Sequence, residues 1–427
     1  MILSLLLFFI FIFISLYLSY YIPTGFVIFY VLVSTKFLGF LGIDDVFIFG
    51  GIASGQFTLN FITLLMALGK KLSVKYETKT FLFVIPFLLF MFWGIALPII
   101  QNTGTIVTSV IASKEFWTIS FFIYLYQNKG ELKVEKILGF IYWIGIYLSL
   151  NYVVYLLFQI TPPFYQEVKY EIREYTRGFF PTYISMTVFI TYYWSYSKNM
   201  RLFYQLLTYL ILFTGLLLAG HKSLLIGTLV SLFSLVLFYE FKHHILKVLF
   251  RLVLLTVIIL AFVFYYQNEI RLIKEVIIID SAISTSSRAT YNQFRWDAIT
   301  ERPIAGYGFI HHNSSLVKRL SPDPQNPYMQ QMGSIDSGYI DLLTKFGYIG
   351  MIIYLVIWAY TILLPVFNRT KFGLLEYSMS FYLIQFFLVN YTWSVFSYAH
   401  GLIPGFLAMY LILLNNKNEN TLHSYII

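Results

Sequence analysis

Long apolar runs separated by short polar breaks make up most of this chain. Within the runs, apolar residues follow one another without the alternation that marks a strand with one wet face. The runs cover residues 2–22, 25–43, 46–69, 81–100, 105–126, 137–160, 179–197, 202–219, 223–241, 248–267, 338–365, 373–395 and 401–414. About 20 helical residues cross the hydrocarbon core of a bilayer. Inside that core every backbone N–H and C=O needs a partner within the protein, which leaves helices or closed barrels. Continuous runs of this length predict an all-α polytopic membrane protein. The block 46–69 is interrupted by Gly50, Gly51 and Gly55, and 401–414 is short, so the expected number of transmembrane helices is about 12. The first run has no charged n-region and no small-residue cleavage site, and is read as a retained span.

Two polar stretches interrupt this pattern, at 161–178 and at 268–337. No repeat of 20–50 residues and no appended soluble domain accompany them, so 1–427 reads as a single membrane domain. A loop as long as 268–337 is seldom a mere connection, and function is sought there first.

Composition strengthens the membrane reading. The chain is 59% hydrophobic and 11% charged, where a soluble domain carries roughly 25% charged residues. Its mean hydropathy is +0.73. The net charge of +9 would suit nucleic acid only if it formed a patch, and it does not. Basic residues sit in short clusters between runs: Lys70, Lys71, Lys75 and Lys79; Lys129, Lys133 and Lys136; Lys198 and Arg201; Lys242, Lys247 and Arg251; Arg369 and Lys371. That is the positive-inside pattern. Counting runs places all of these, with Lys417 and the C-terminus, in the cytoplasm, and both polar stretches outside. An inside N-terminus with 12 spans is the expected arrangement. There is no Cys, so no disulfide or Cys-bound metal is possible.

Arginine outside the membrane asks for a reason. Lys169, Arg173 and Arg177 recur every four residues, which on a helix makes one cationic stripe. Glu167, Glu171 and Glu174 go with them, so the stripe is either a salt-bridged solvated face or an anion site. In the long loop, Ser286 and Ser287 form a helix-start signal before Arg288. Arg288, Arg295 and Arg302 are spaced by seven and share a face, Pro303 ends the helix, and Trp296 and Phe294 are candidates to seat it. The loop holds seven basic and seven acidic residues, so its arginines are arranged rather than merely abundant. Arg suits bidentate phosphate contacts. Lys222 lies in the tight outside turn Ala219-Gly220-His221-Lys222-Ser223 and is either an interfacial snorkelling side chain or a functional cation. Gly306-Tyr307-Gly308 lacks the Thr-Val and the pore-helix pair of a potassium filter. His311 and His312 have no carboxylate or His at ligand spacing, so no metal site and no cofactor are expected.

These residues together resemble the O-antigen polymerase and O-antigen ligase superfamily of bacterial cell-surface glycan synthesis. Arg177-Gly178-Phe179-Phe180-Pro181 is similar to the family's R-G-x-F-x-x-P opening of a span, and Ala219-Gly220-His221-Lys222-Ser223 to its S-x-S-R-S, with Lys for Arg. Arg288, Arg295-Trp296 and Pro303-Ile304-Ala305-Gly306-Tyr307-Gly308 resemble R…R-x-x-W…P-x-x-G-x-G. Ten residues separate Arg295 from Gly306, as in the polymerases' R-x10-G. The resemblance covers about 170–365; residues 1–160 match only as apolar spans. Ligases resemble one another in H-[N/S/Q]-x9-G-x-x-[G/T/Y]. Here the aligned string is Asp336-Ser337, nine residues, then Gly347-Tyr348-Ile349-Gly350, so Asp stands where ligases have His. That departure favours a polymerase.

The resemblance implies inverting glycosyl transfer at the outer face of the bacterial cytoplasmic membrane. The donor is a polyprenyl-diphosphate-linked oligosaccharide and the acceptor a hydroxyl on another lipid-linked repeat unit. It implies catalytic roles for Asp336 as general base and for Arg295 and Arg177 as cations on the diphosphate. It implies substrate contacts for Arg288, Lys222, Arg173, His312 and Trp296. Partners would be the lipid bilayer, a flippase and chain-length regulator proteins, and no nucleic acid. The rival readings are an O-antigen ligase that transfers finished glycan to lipid A-core, a polysaccharide or lipid transporter, and a membrane scaffold. A transporter should carry inverted repeats and mid-membrane charges; Lys36 and Lys114 are the charges in view.

Overall fold

The computed structural model describes residues 2–35, 55–70, 78–158, 180–240, 295–311, 314, 316, 337–368 and 371–414. Helix accounts for 81% of what is described, with no strand among the described residues. The helices are α1 (Ile2–Tyr21), α2 (Pro23–Ser34), α3 (Gly55–Lys70), α4 (Thr78–Ile100), α5 (Ile106–Ala112) and α6 (Ile119–Gln127), the last preceded by a 3₁₀ turn over Phe116–Thr118. They continue with α7 (Val134–Phe158), α8 (Pro181–Ser197), α9 (Leu202–Leu218), α10 (Lys222–Glu240), α11 (Gly338–Phe367), α12 (Leu374–Val389) and α13 (Ala399–Leu413).

Local chemistry sets several of the starts. Pro23 and Pro181 open α2 and α8 in the first turn, where a missing N–H costs nothing. Thr105 and Thr108 cap α5 reciprocally. Glu376 Oε2 accepts the Gly373 N–H at 2.9 Å at the head of α12.

Among the described residues, 3 helices are long and apolar enough to cross a membrane, in α7, α10 and α11, or up to 4 if α5 and α6 form one span. That pair is bent by 66°, as a broken span or a re-entrant loop is. The straight span expected over 105–126 breaks at Ser113-Lys114-Glu115, where two charged residues interrupt the apolar run. Phe13, Phe203, Trp143 and Ile352 stand exposed on helix faces, as lipid-facing side chains do. This is a membrane protein, and polar side chains buried between its helices tie them together. Gln385 of α12 bonds Ser185 of α8 (2.6 Å) and Thr228 of α10 (2.8 Å). Tyr30, Asn60, Thr63 and Ser120 do the same for α2, α3 and α6.

The first two helices bear on the expected placement of the N-terminus. Thr24 Oγ1 accepts the Lys133 N–H at 2.9 Å, and the Ser19 carbonyl accepts the Tyr124 hydroxyl at 2.8 Å. Phe11 packs on Phe29, with ring centroids 5.5 Å apart. So α1 and α2 form an antiparallel hairpin whose bend lies at the end of the bundle that carries Lys129 and Lys133. A 20-residue helix is about 30 Å long, and the start of α1 therefore lies at the opposite end. With the basic loop cytoplasmic, an inside N-terminus does not fit this hairpin. A single Cys at position 3 is expected to react with an impermeant maleimide in intact cells. Protection there, with labelling only after permeabilisation, would return the N-terminus to the cytoplasm.

Candidate functional site

The described part of the long loop docks onto a deliberate break in α11. Gly347 inside that helix has φ 65° and ψ −174°, a conformation that glycine alone adopts readily. The break diverts the Tyr348 N–H, which in a regular helix would reach the Thr344 carbonyl, to the Pro303 carbonyl at 2.7 Å. The Thr344 carbonyl then accepts the Tyr307 N–H (2.9 Å) and the Lys345 carbonyl accepts the Gly308 N–H (2.8 Å). On the other side stands α4. Pro98 has no N–H, so the Gly94 carbonyl four residues earlier is left for the Phe309 N–H at 2.7 Å. Gln101 Nε2 donates to the Gly306 carbonyl at 3.2 Å. The glycines of Gly306-Tyr307-Gly308 are there for close approach: a Cβ on Gly306 would stand 2.7 Å from the backbone of Gly347, and one on Gly308 2.4 Å from the Gly94 carbonyl.

The loop's short helix, residues 295–301, is held from below by Ile299, which packs with Ile340 and Leu343 of α11. Ala298 packs with Tyr307 and Leu316. Ala298 and Ile299 seat this helix on the protein, while Trp296 is 42% exposed and does not pack into the spans. The helix ends before Arg302 and Pro303, as expected from the proline. Arg295 is partly buried. The Arg302 guanidinium lies over the Tyr307 ring at 5.2 Å, and the Tyr307 hydroxyl donates to Glu301 Oε2 at 2.8 Å.

Four further segments meet at this end. The α9–α10 turn is tight because Gly220 takes φ 73°, and it presents His221 and half-buried Lys222. The His221 ring stacks on Trp393 (4.3 Å), Trp393 on His400 (4.2 Å), and His400 on Tyr398 (5.8 Å). Pro404 frees the His400 carbonyl, as Pro98 frees that of Gly94, and Thr182 Oγ1 donates to it. Thr182 follows Phe180-Pro181, where Phe180 is held at φ 54°. Glu115, at the bend between α5 and α6, accepts the Ala399 N–H at 2.9 Å and so caps α13 from a distance. Asp341 and Lys345 form an ion pair at 2.7 Å in the first turns of α11. The Lys345 ammonium lies 5.2 Å from the Tyr398 ring and 5.7 Å from that of Phe116.

Of the residues singled out in the sequence, Arg295, Trp296 and Lys222 are thus placed, all at one end of the bundle. Arg177, Arg173, Arg288, His312 and Asp336 lie outside the described residues. Sequence reasoning passed over Asp341, Lys345 and Glu115. For the first two a signal existed: opposite charges four apart inside an apolar run. Among the described residues, no group of three or more His, Asp and Glu is placed to hold a metal ion.

Residues 207–355 match the family model of the O-antigen ligase family. That stretch, about a third of the chain, is what is similar to the O-antigen ligase family. The matched stretch runs from α9 through the α9–α10 turn and the long loop to the middle of α11, and leaves out Arg173 and Arg177. No curated protein matches the chain.

Proposed function

From the similarity of residues 207–355 to the O-antigen ligase family, we propose that this chain polymerises lipid-linked oligosaccharide repeat units by inverting glycosyl transfer at the outer face of the membrane. The observation that carries the reading is the docked loop. Within the family-matched stretch, the helix bearing Arg295 is clamped to α11 and α4 at the same end of the bundle as Lys222. Fixed cations at one end of a membrane bundle suit a leaving diphosphate, whose charge grows as the glycosidic bond breaks. Arg177, Arg288, Arg295 and Lys222 are assigned to that charge, Arg173, His312 and Trp296 to the glycan, and Asp336 to the acceptor hydroxyl as general base. Asp at 336, where ligases have His, favours polymerase over ligase. In this reading the long loop 268–337 and the shorter 161–178 are extracytoplasmic and the C-terminus is cytoplasmic, in the inner membrane.

The test is a membrane preparation supplied with one lipid-linked repeat unit, read as a ladder of longer glycans on the carrier lipid. Wild-type protein is expected to build the ladder. Arg295→Ala at equal protein level is expected to lose it, and Arg295→Lys to recover only part, because an ammonium lacks the forked geometry. Wild-type banding from Arg295→Ala removes this residue from the site. Orientation is tested in the same Cys-free chain: position 325 should label from outside, and position 417 only after permeabilisation.

A further inference from the structure

Exposure along α11 changes at its break. From Ser337 to Gly347 no residue is exposed. From Tyr348 onward, Ile349, Ile352, Val356, Tyr360 and Phe367 stand exposed at helical spacing along one face. The helix has 30 residues, so 20 follow the break at Gly347. Twenty helical residues rise about 30 Å, the thickness of a bilayer's hydrocarbon core. Arg369 and Lys371 come directly after them in the sequence. The lipid-facing part of α11 thus begins at the break, and the break lies at the boundary of the hydrocarbon core.

Ile304 of the docked loop stands at that boundary. Its carbonyl oxygen lies so close to Gly347 that a Cβ there would come within 2.2 Å, and the preceding Pro303 carbonyl holds the Tyr348 N–H. The backbone is therefore pinned to α11, yet the residue is 66% exposed. On the α4 side, Gln101 holds the Gly306 carbonyl. Ile100, the last residue of α4, is exposed, and so are Leu89, Phe92 and Trp93 along that helix. A single exposed Ile on a wet loop is ordinary. This one is flanked by the ends of two lipid-facing helix faces and joins them. We propose that Pro303 and Ile304 form a lipid contact, a knuckle of the long loop sunk among the acyl chains of the bilayer leaflet at this end. The docked loop is then held at a fixed depth by the membrane as well as by α4 and α11. Such a contact needs only a chain that spans a bilayer, whatever reaction the loop serves.

The chain has no Cys, so Ile304→Cys places a single nitroxide label at the knuckle. The labelled protein is reconstituted into vesicles of phosphatidylcholine and phosphatidylglycerol. The label's access to oxygen, which concentrates among acyl chains, is compared with its access to a water-soluble nickel chelate. Ile349→Cys is the lipid-facing reference, and Glu131→Cys, exposed in the polar connection between α6 and α7, is the water-facing one. The ratio of oxygen to nickel access at 304 is expected to lie close to that at 349 and several-fold above that at 131. A ratio like that at 131 overturns the contact and puts the knuckle in water. Low access to both reagents overturns it as well, because protein then covers the residue. If Ile304→Cys is not produced, Pro303→Cys, exposed beside it, is read in the same way with the same expectation and the same overturning results.

Discussion

Gly347→Ala is expected to abolish glycan transfer and to lower the thermal midpoint of the purified protein. A Cβ at this position would stand 2.2 Å from the carbonyl oxygen of Ile304 and 2.4 Å from its carbon. Both are backbone atoms of the docked loop and cannot swing aside. The added side chain would also have to hold φ 65° with ψ −174°, which costs about 1–3 kcal/mol, and the overlap adds about 1–3 kcal/mol more. The chain can relieve both by straightening α11. A regular helix at 347 sends the Tyr348 N–H back to the Thr344 carbonyl, which then no longer holds the Tyr307 N–H. The two faults therefore lead to the same result, release of the loop that carries Arg295. Tryptophan fluorescence on heating reads the stability, and the glycan ladder reads the activity. Gly139→Ala is the control, since a Cβ there meets nothing within 4 Å and alanine favours the helix interior. Wild-type activity from Gly347→Ala at equal protein level would show that the docked loop is not part of the machinery.

Much of this dock was visible in the sequence, but not as a dock. Pro303, Gly306, Gly308, Gly347 and Gly350 all stood out as motif residues, and the expected end of the helix at Pro303 agrees with the structure. Their joint purpose was hidden because the partners are distant in sequence: Gln101 and Gly306 are separated by 205 positions. The same distance hid the His221–Trp393–His400 stack, since nothing local to a His or Trp announces a neighbour on another helix. The N-terminal hairpin was hidden for a different reason. No charged residue precedes Lys36, so the charge asymmetry that orients the later helices has nothing to act on in α1 and α2. Asp341 and Lys345 were legible as opposite charges four apart in an apolar run, as Lys36 and Lys114 were as single charges. Lys114 proves to sit in the bend between α5 and the 3₁₀ turn.

The remaining large effect is expected at Asp336, and it separates polymerase from ligase. A carboxylate just before a helix has a plain alternative use, capping the helix N-terminus. The start of α11 weakens that alternative. Ser337 is the N-cap residue, and the first helical N–H, that of Gly338, is already taken by the Asn390 carbonyl at 2.8 Å. A capping carboxylate would therefore have less to satisfy here than at an open helix end. The two roles also differ in size. Loss of a cap costs about 1 kcal/mol, and Asn largely restores it. Loss of a general base costs about 10²–10⁴-fold in rate, and Asn cannot restore it, because an amide does not take up the acceptor's proton. Asp336→Asn is expected to accumulate at wild-type level and to leave single repeat units on their carrier lipid, with the ladder reduced by at least about 100-fold. Normal long chains from this variant would make Asp336 a cap. Long chains that stay on the carrier lipid while transfer to lipid A-core disappears would identify the chain as the ligase. In that outcome the carboxylate at 336 does the work that the ligases give to histidine, and the cations assigned above still meet a leaving diphosphate, so the docked loop keeps its purpose while the acceptor changes.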